Sequence, residues 1–246
     1  MLQANYHTHS RWCNHAVGEI EDYLEKAISL GFKEIALTDH VPHKEGFSWI
    51  PFDQLGQYNI AIDEAIAKYQ DRIRIFKGFE CEHILSEVDY YKRLIEEYGY
   101  TFLIQGQHLA GKNCEVNAFN CHEEDEILIY ADSVCEGIAS GFYKLLAHPD
   151  VVYSSYKGPW SPKQERAFHQ IFACCEEYHQ PVEINASGLR GDRGYPRREV
   201  FSIAKQYDLR FLINSDAHDP AWLYDDITMK AEQFAQDLDL PISPLL

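Results

Sequence analysis

Residues 34–40 read Glu-Ile-Ala-Leu-Thr-Asp-His, an apolar β-type run that ends in a carboxylate and an imidazole. A strand with a purely structural role avoids such an ending, because charged side chains are rarely buried without a partner. The ending recurs at residues 145–150, Leu-Leu-Ala-His-Pro-Asp, and at residues 211–218, Phe-Leu-Ile-Asn-Ser-Asp-Ala-His. The pattern predicts strands that deliver polar side chains to a shared place.

Seven apolar runs alternate along the chain with seven longer segments of helical periodicity. The predicted strands are Gln3–His7, Glu34–Thr38, Arg74–Phe79, Thr101–Gln105, Lys144–Ala147, Pro181–Asn185 and Arg210–Asn214. The predicted helices are Glu19–Leu30, Gln54–Tyr69, Glu87–Tyr98, Glu123–Ala139, Pro162–Tyr178, Pro196–Tyr207 and Trp222–Gln236. This alternation indicates an α/β fold with a parallel sheet covered by helices, either an open doubly wound sheet or a closed barrel.

Polar side chains at the strand ends decide between these two folds. They are His7 and His9, His40, Glu80, His108, His148, Asn185, and Asp216 with His218. In an open sheet only the strand ends near the switch point converge, whereas in a barrel every C-terminal end meets at one mouth. The sequence therefore predicts a TIM-like barrel of seven β/α units, not eight, with its site at the C-terminal mouth of the strands.

The segment His7-Thr8-His9 leaves the first predicted strand with two imidazoles two residues apart. Alternation along a strand places both on the same face, as joint binding of one metal ion requires. Ligation by histidines with two carboxylates, Glu80 and Asp216, suits zinc, iron(II) or manganese. Magnesium and calcium prefer sites made of oxygen ligands.

The chain of 246 residues has 22 Lys and Arg against 39 Asp and Glu, a formal net charge of −17. An acidic surface repels phosphate backbones, so we expect no nucleic-acid partner. We also expect no membrane association, because no apolar stretch approaches the ~20 residues of a membrane span. Seven cysteines without C-x-x-C spacing and no signal-peptide pattern predict a cytoplasmic protein with reduced thiols. We expect one domain over residues 1–246, and the oligomeric state stays open.

Taken in order, these motifs resemble those of the PHP (polymerase and histidinol phosphatase) superfamily. The resemblance rests on His7-Thr8-His9 with His15, Thr38-Asp39-His40, Gly78-Phe79-Glu80, His108, Ala147-His148-Pro149 and Ser215-Asp216-Ala217-His218. Residues 7–15, and residues 183–190 followed by Tyr195-Pro196, are most similar to the stand-alone histidinol-phosphate phosphatases. The resemblance spans essentially the whole chain and implies a distorted seven-stranded β/α barrel.

The resemblance also implies a site for three divalent metal ions, zinc, iron or manganese. Its nine ligands would be His7, His9, Glu80 and Asp216 for the first ion, Glu80, His108 and His148 for the second, and His15, His40 and His218 for the third. Glu80, Asp216 and His218 are the predicted catalytic residues, around a metal-bridging hydroxide as nucleophile. We expect Asp39 to orient a metal-bound histidine.

Few Lys or Arg residues occur in the loops that are predicted to surround the mouth of the barrel. Arg190 and Arg193 follow the sixth predicted strand, Lys157 follows the fifth and Arg11 follows the first. A guanidinium matches phosphate oxygens in a bidentate manner, so Arg190 is the first candidate for phosphate binding and Lys157 the second. Glycines at three positions in residues 188–194 predict a loop that closes over substrate.

These features predict a metal-dependent phosphomonoesterase, and the resemblance implies hydrolysis of L-histidinol phosphate to L-histidinol and phosphate in histidine biosynthesis. One alternative is the same chemistry on phosphotyrosine, a nucleotide or a sugar phosphate. Another is a non-catalytic PHP module like those attached to polymerases, although such modules often lose ligands. An amidohydrolase also opens with H-x-H, but that family expects an eighth strand and a lysine bridging its metals. The acidic surface favours a small monoester over a long polyanion.

Overall fold

The computed structural model describes residues 2–43 and 50–246. Its strands are β1 (Ala4–Asn5), β2 (Glu34–Leu37), β3 (Arg74–Cys81), β4 (Phe102–Gln105), β5 (Leu109–Ala110), β6 (Val116–Asn117), β7 (Tyr143–Leu146), β8 (Val182–Asn185) and β9 (Phe211–Asn214). Its α-helices are α1 (Ile20–Ser29), α2 (Leu55–Tyr69), α3 (Val88–Glu96), α4 (Glu124–Ser140), α5 (Pro162–Glu177), α6 (Ser187–Arg190), α7 (Arg198–Ala204) and α8 (Asp226–Asp237).

Seven strands form one parallel sheet in the order β1-β2-β3-β4-β7-β8-β9, while β5 and β6 pair antiparallel as a separate hairpin. Every neighbouring pair in the large sheet is parallel, as expected when a helix connects successive strands. The predicted seven-unit β/α barrel is confirmed. All seven C-terminal strand ends therefore face one mouth.

The junction between β1 and β9, here called the seam, closes the barrel without a regular ladder. A single parallel bridge joins Thr8 to Ala217, and the backbone N–H of His9 donates to the Ala217 carbonyl at 2.9 Å. Two asparagine side chains accept backbone N–H groups across the seam: Asn214 Oδ1 from Tyr6 at 2.8 Å, and Asn5 Oδ1 from Ser215 at 2.7 Å. Side-chain amides thus replace ladder bonds, which is where the barrel is distorted.

Two kinds of apolar packing hold the barrel together. The interior is filled by a cluster that includes Tyr6, Phe102, Ile104 and Leu145, with the Tyr6 and Phe102 rings stacked at 5.6 Å. Larger clusters fill the space between the sheet and the surrounding helices. Aromatic and aliphatic side chains therefore occupy the interior, while polar side chains gather at the mouth.

The seven predicted strands match the seven barrel strands, and the seven predicted helices match α1–α5, α7 and α8. At the start of α5, Ser161 Oγ accepts a hydrogen bond from the Gln164 backbone at 3.4 Å, just before Pro162 in the first turn. Strand β3 runs to Cys81, so Glu80 lies inside it and not beyond it. Within the described residues, no helix is both long and apolar enough to cross a membrane.

Candidate metal centre

The nine predicted ligands come together at the mouth around the carboxylate of Glu80, whose residue is only 2% exposed. Imidazole nitrogens approach both of its oxygens. Oε2 lies 3.2 Å from His7 Nε2, 3.3 Å from His9 Nε2 and 3.1 Å from His40 Nδ1, while Oε1 lies 2.8 Å from His148 Nε2 and 3.6 Å from His108 Nε2. A carboxylate with this surrounding has the geometry to bridge two cations.

Asp216 completes a compact set of donor atoms with His7, His9 and Glu80. Its Oδ1 lies 3.5 Å from His7 Nε2 and 3.2 Å from His9 Nε2. These three atoms are buried and make no hydrogen bond to any described residue. Buried polar atoms without partners are costly, and convergent lone pairs on two imidazoles and two carboxylates suit a divalent cation. The residues therefore fit the metal that the sequence predicts.

His15, His40 and His218 gather on the outer side of His9. The His9 ring centre lies 4.3 Å from that of His218 and 4.4 Å from that of His40. The His15 ring lies 4.7 Å from His218 and 5.2 Å from His40. Ligand atoms of His9, His40 and His218 all lie within 4.8 Å of one another, as do those of Cys13, His15 and His218. All three of these histidines line the open cleft, and His15 is exposed.

Backbone carbonyls set the tautomers of two of these histidines. His15 Nδ1 lies 2.7 Å from the Cys13 carbonyl oxygen, and His218 Nδ1 lies 3.1 Å from that of Asp216. A carbonyl oxygen only accepts, so each Nδ1 carries the hydrogen and each Nε2 keeps its lone pair. Both rings are thereby prepared for ligation through Nε2.

Two buried glutamates that the sequence did not single out for a role orient the inner histidines. Glu183 Oε1 lies 2.9 Å from His7 Nδ1, and its Oε2 accepts from the His148 backbone at 2.8 Å. Glu82 Oε1 lies 2.7 Å from His108 Nδ1, and its Oε2 accepts from the His108 backbone at 2.7 Å. Carboxylates commonly hold metal-binding imidazoles in this way. Two features of the sequence could have indicated these roles: Glu183 is a charged residue within an apolar strand, and Glu82 lies two residues after the predicted ligand Glu80.

Burial and charge oppose each other at this site. Burial lowers the pKa of His9 to about 3, which keeps the ring neutral. Burial also acts to lower the pKa of His108, but the carboxylates of Glu82 and Glu80 outweigh it and raise that pKa to about 9. For Glu80, burial acts to raise the pKa, but the imidazoles of His7 and His40 outweigh it, so the carboxyl is charged.

Two of the predicted ligands lie on unusual backbone. His148 has φ +26° and Asp216 has φ +47°, both in a region that non-glycine residues seldom adopt. Each follows a barrel strand at the point where the chain turns away, and such conformations occur at functional sites when the surroundings impose them. Asn185, another strand-end residue, supports Asp216 by donating from Nδ2 to its Oδ2 at 3.3 Å.

The described contacts of Asp39 differ from the expected support of a histidine. Its carboxylate accepts from the Ser10 backbone at 2.7 Å, from Ser10 Oγ at 2.8 Å and from the Tyr58 hydroxyl at 2.9 Å. Burial raises its pKa to about 7, although these hydrogen bonds act in the opposite direction. Asp39 therefore fixes the loop that follows His9.

A cleft of about 510 Å³ opens above the predicted ligands. Arg190 lines it, with Nη1 2.8 Å from Asp225 Oδ2 and the guanidinium carbon 4.2 Å from the ring centre of Trp222. The remaining nitrogens of this side chain, Nε and Nη2, are buried and make no hydrogen bond to a described residue. One edge of the guanidinium is therefore held in place while its other donors lack a protein acceptor.

The other predicted phosphate-binding residues lie in different environments. Arg193 lines the cleft together with Tyr195. The Lys157 ammonium donates to the Tyr153 carbonyl at 3.3 Å, and the Arg11 guanidinium pairs with Glu19. Neither Lys157 nor Arg11 is among the described residues that line the cleft.

Comparison with known proteins identifies the family of this chain. The family model of the PHP domain matches residues 5–187. The chain belongs to the PHP domain family. The membership predicted from the strand-end motifs is thus confirmed.

Several relatives of this PHP-family chain carry histidinol phosphatase names. A Schizosaccharomyces pombe protein named "Probable histidinol-phosphatase" is 31% identical over an alignment that covers 87% of this chain and 80% of that protein. A Listeria monocytogenes protein assigned as a histidinol phosphatase has a crystal structure that matches with TM-score 0.77 and 18% identity, covering 92% of this chain and 99% of that one. The crystal structure of histidinol phosphate phosphatase from Lactococcus lactis, complexed with zinc, L-histidinol and phosphate, matches with TM-score 0.72 and 18% identity, covering 98% and 95% of the two chains.

Proposed function

We propose that this PHP-family chain is a metal-dependent phosphatase that hydrolyses a small phosphomonoester, with L-histidinol phosphate as its substrate. The observation that carries the proposal is the position of Glu80, whose two carboxylate oxygens both lie beside imidazole nitrogens. Three divalent cations of the zinc, iron or manganese type are the proposed cofactors. Their ligands are those grouped above, namely His7, His9, Glu80 and Asp216; Glu80, His108 and His148; and His15, His40 and His218.

Bound cations supply Lewis acidity toward the phosphoryl oxygens and an activated water at neutral pH. The protein residues keep the site ready for this chemistry. Burial keeps His9 neutral and able to ligate, while neighbouring imidazoles hold the pKa of Glu80 and Asp216 well below their usual range despite burial. Both carboxylates are therefore charged before a cation enters the cleft.

Arg190 is the proposed binder of the phosphoryl group. Asp225 and Trp222 hold its guanidinium at the cleft wall. The buried donors at Nε and Nη2 lack a protein acceptor among the described residues, and a small rotation of the side chain would turn them toward a ligand. Two adjacent N–H donors suit bidentate contact with phosphate oxygens. Arg193, which also lines the cleft, is the second choice, whereas Lys157 and Arg11 require the loops that carry them to move.

The charge distribution supports a small ester. The chain carries −17 overall, so an extended polyanion meets repulsion over a wide surface. A single phosphate inside the cleft meets the cations and Arg190 instead. The cleft also presents the ring of Phe119, a residue that is 46% exposed, stacked 5.1 Å from His108. A heteroaromatic ring such as imidazole can pack against this face, and the names of the relatives support the same substrate.

Steady-state kinetics on the metal-reconstituted protein test the proposal. The substrates are L-histidinol phosphate, phosphotyrosine, a nucleoside monophosphate, a sugar phosphate and an aryl phosphate. We expect kcat/KM for histidinol phosphate to exceed the others by about 100-fold. Similar values for all five would overturn the substrate but keep the phosphatase. No hydrolysis of any ester by protein with two or more bound metals would favour the non-catalytic PHP module.

The Arg190→Ala variant tests the phosphate-binding residue, with Arg190→Lys as the matched control that keeps the charge. We expect the alanine variant to raise KM by about tenfold or more, and the lysine variant to recover part of that loss. An unchanged KM in Arg190→Ala would remove this residue from the phosphate site.

A further inference from the structure

Two cysteines meet on the outer surface of the barrel, away from the cleft. Cys135 lies on α4 and Cys174 lies on α5, the helix that packs beside it. Both side chains are partly exposed, and the chain holds them as free thiols. Their surface position distinguishes them from Cys175, which follows Cys174 in sequence and is fully buried.

The sulfur atoms are held between the two helices. Cys135 Sγ lies 3.7 Å from the Gln170 carbonyl oxygen on α5, and Cys174 Sγ lies 3.7 Å from the Cys135 carbonyl oxygen on α4. Beside them, Gln170 Nε2 donates to Asp132 Oδ1 at 2.7 Å and ties the same helical turns together. Each sulfur therefore already reaches across to the opposite helix.

The two thiols also contact each other, and the contact makes them unequal. The Cys135 thiol donates to the Gln170 carbonyl, and the Cys135 side chain beside Cys174 lowers the pKa of Cys174. Contact with Cys174, together with burial, raises the pKa of Cys135. A thiolate is the attacking form of cysteine, so Cys174 is the nucleophile of the pair and Cys135 its neighbouring partner.

We propose that Cys135 and Cys174 form a reversible disulfide that joins α4 to α5, with hydrogen peroxide as oxidant. The Cys174 thiolate attacks one peroxide oxygen, the O–O bond breaks, and the departing oxygen leaves as water, which gives a sulfenic acid. The Cys135 sulfur then attacks Cys174 Sγ, the S–O bond breaks and a second water leaves. Two thiols have lost two electrons and the peroxide has gained them. A thiol of the glutathione class restores the pair by exchange.

The neighbouring cysteines are poor competitors for this bond. Cys175 faces the core, and burial raises its pKa well above the usual range. Burial also raises the pKa of Cys114, which lies in the hairpin segment between β5 and β6. Of the four cysteines compared, only Cys135 and Cys174 combine partial exposure with contact between their side chains, which favours reaction at Cys174 followed by closure on Cys135.

Peptide mapping of the full-length, metal-loaded protein tests the proposal. The protein is treated with hydrogen peroxide, its remaining thiols are alkylated without reductant, and the digest is analysed by mass spectrometry. We expect one cross-linked peptide joining Cys135 to Cys174, with the loss of two hydrogen atoms, and its disappearance after glutathione treatment. A Cys174–Cys175 link, or oxidation of Cys114 as fast as of Cys174 without a cross-link, would overturn it.

Serine variants assign the two roles. In Cys135→Ser we expect a persistent sulfenic acid at Cys174 that a dimedone probe captures, whereas Cys174→Ser resists capture at Cys135. The matched control, Cys114→Ser, should cross-link as the native chain does. Thermal unfolding adds a second readout, because the cross-link closes a loop of the chain: the oxidised native protein should melt several degrees higher than its reduced form. Equal melting temperatures in the oxidised and reduced forms would contradict the proposed link.

Discussion

Glu183 offers the sharpest test of how the metal centre is built, through the Glu183→Gln variant. The side chain is fully buried and accepts hydrogen bonds on both oxygens. Oε1 faces His7 Nδ1 at 2.9 Å and Asn214 Nδ2 at 3.0 Å, while Oε2 faces the His148 backbone N–H and Asn185 Nδ2, both at 2.8 Å. Glutamine has nearly the same shape, so the change tests charge and hydrogen bonding without opening a cavity.

Either orientation of the new amide disturbs a predicted ligand. With the NH₂ group at the Oε1 position, His7 Nδ1 must accept, so the hydrogen moves to Nε2 and blocks the lone pair that faces Glu80 and Asp216. With the NH₂ group at the Oε2 position, the His148 N–H loses its acceptor. Two charge-assisted hydrogen bonds are lost in each case, about 3–6 kcal/mol before relaxation. Loss of such supporting residues typically lowers metal affinity ~10–100-fold.

Chelator competition and elemental analysis measure this effect, alongside kcat on the best phosphomonoester. The matched control is Glu34→Gln, a buried strand glutamate that accepts from Tyr6 and Arg74 at the opposite end of the barrel. We expect both variants to lower the melting temperature but only Glu183→Gln to lower metal affinity and kcat. A folded Glu183→Gln protein with native affinity, or an equal loss in Glu34→Gln, would refute the reasoning.

Three further predictions concern the metal centre and the loop that follows His9. Replacing His7 and His9 together with alanine should abolish activity and reduce bound metal, as elemental analysis would show; retained hydrolysis would contradict the assigned ligands. Carboxylates raise the pKa of His108 to about 9, so at neutral pH the metal-free ring carries a proton that a cation must displace, and metal affinity should rise with pH up to about that value. Calorimetry in two buffers of different ionisation enthalpy should detect this proton release, and Glu82→Gln should reduce it; buffer-independent heats would be the contrary result. Tyr58→Phe removes the hydroxyl that donates to Asp39 and should lower the free energy of unfolding by about 1–2 kcal/mol in urea titrations without changing metal content; a loss of metal would give Tyr58 a different role.

The sequence predicted the barrel well because the patterns that indicate it are short and local in sequence. An apolar run that ends in a polar or charged side chain is visible within a few residues, and the ends of seven such runs have only one common meeting place. Helix α6 and the hairpin of β5 and β6 were not predicted, because elements of two to four residues show no periodicity. The sequence predicted that the third strand ends at Phe79, whereas β3 continues to Cys81. The charged Glu80 interrupts the apolar pattern that marks a strand, so the last two residues were not predicted.

Support of the predicted ligands was harder to predict because it depends on contacts between distant segments. Glu183 reaches His7 across 176 residues of sequence, and no local pattern announces that pair. For Asp39 the local sequence was misleading. Its neighbour His40 suggested that the carboxylate orients a metal-bound histidine, but its described partners are Ser10 and Tyr58. The position of a residue in a loop likewise does not reveal where its side chain points. Arg11 was predicted to bind phosphate, but its side chain pairs with Glu19.

The seam affects where the barrel opens locally. Because few backbone hydrogen bonds cross between β1 and β9, local opening there disrupts less structure than opening at the longer pairs β2–β3 and β3–β4. Residues 5–9 and 214–218 should therefore exchange their amide hydrogens through sub-global fluctuations, ahead of strands such as β3 and β4. His7 and His9 stand on one side of this junction, Asp216 and His218 on the other. A cation bound between them would favour the closed form, so amide protection at the seam would report metal occupancy even in a protein with no substrate present.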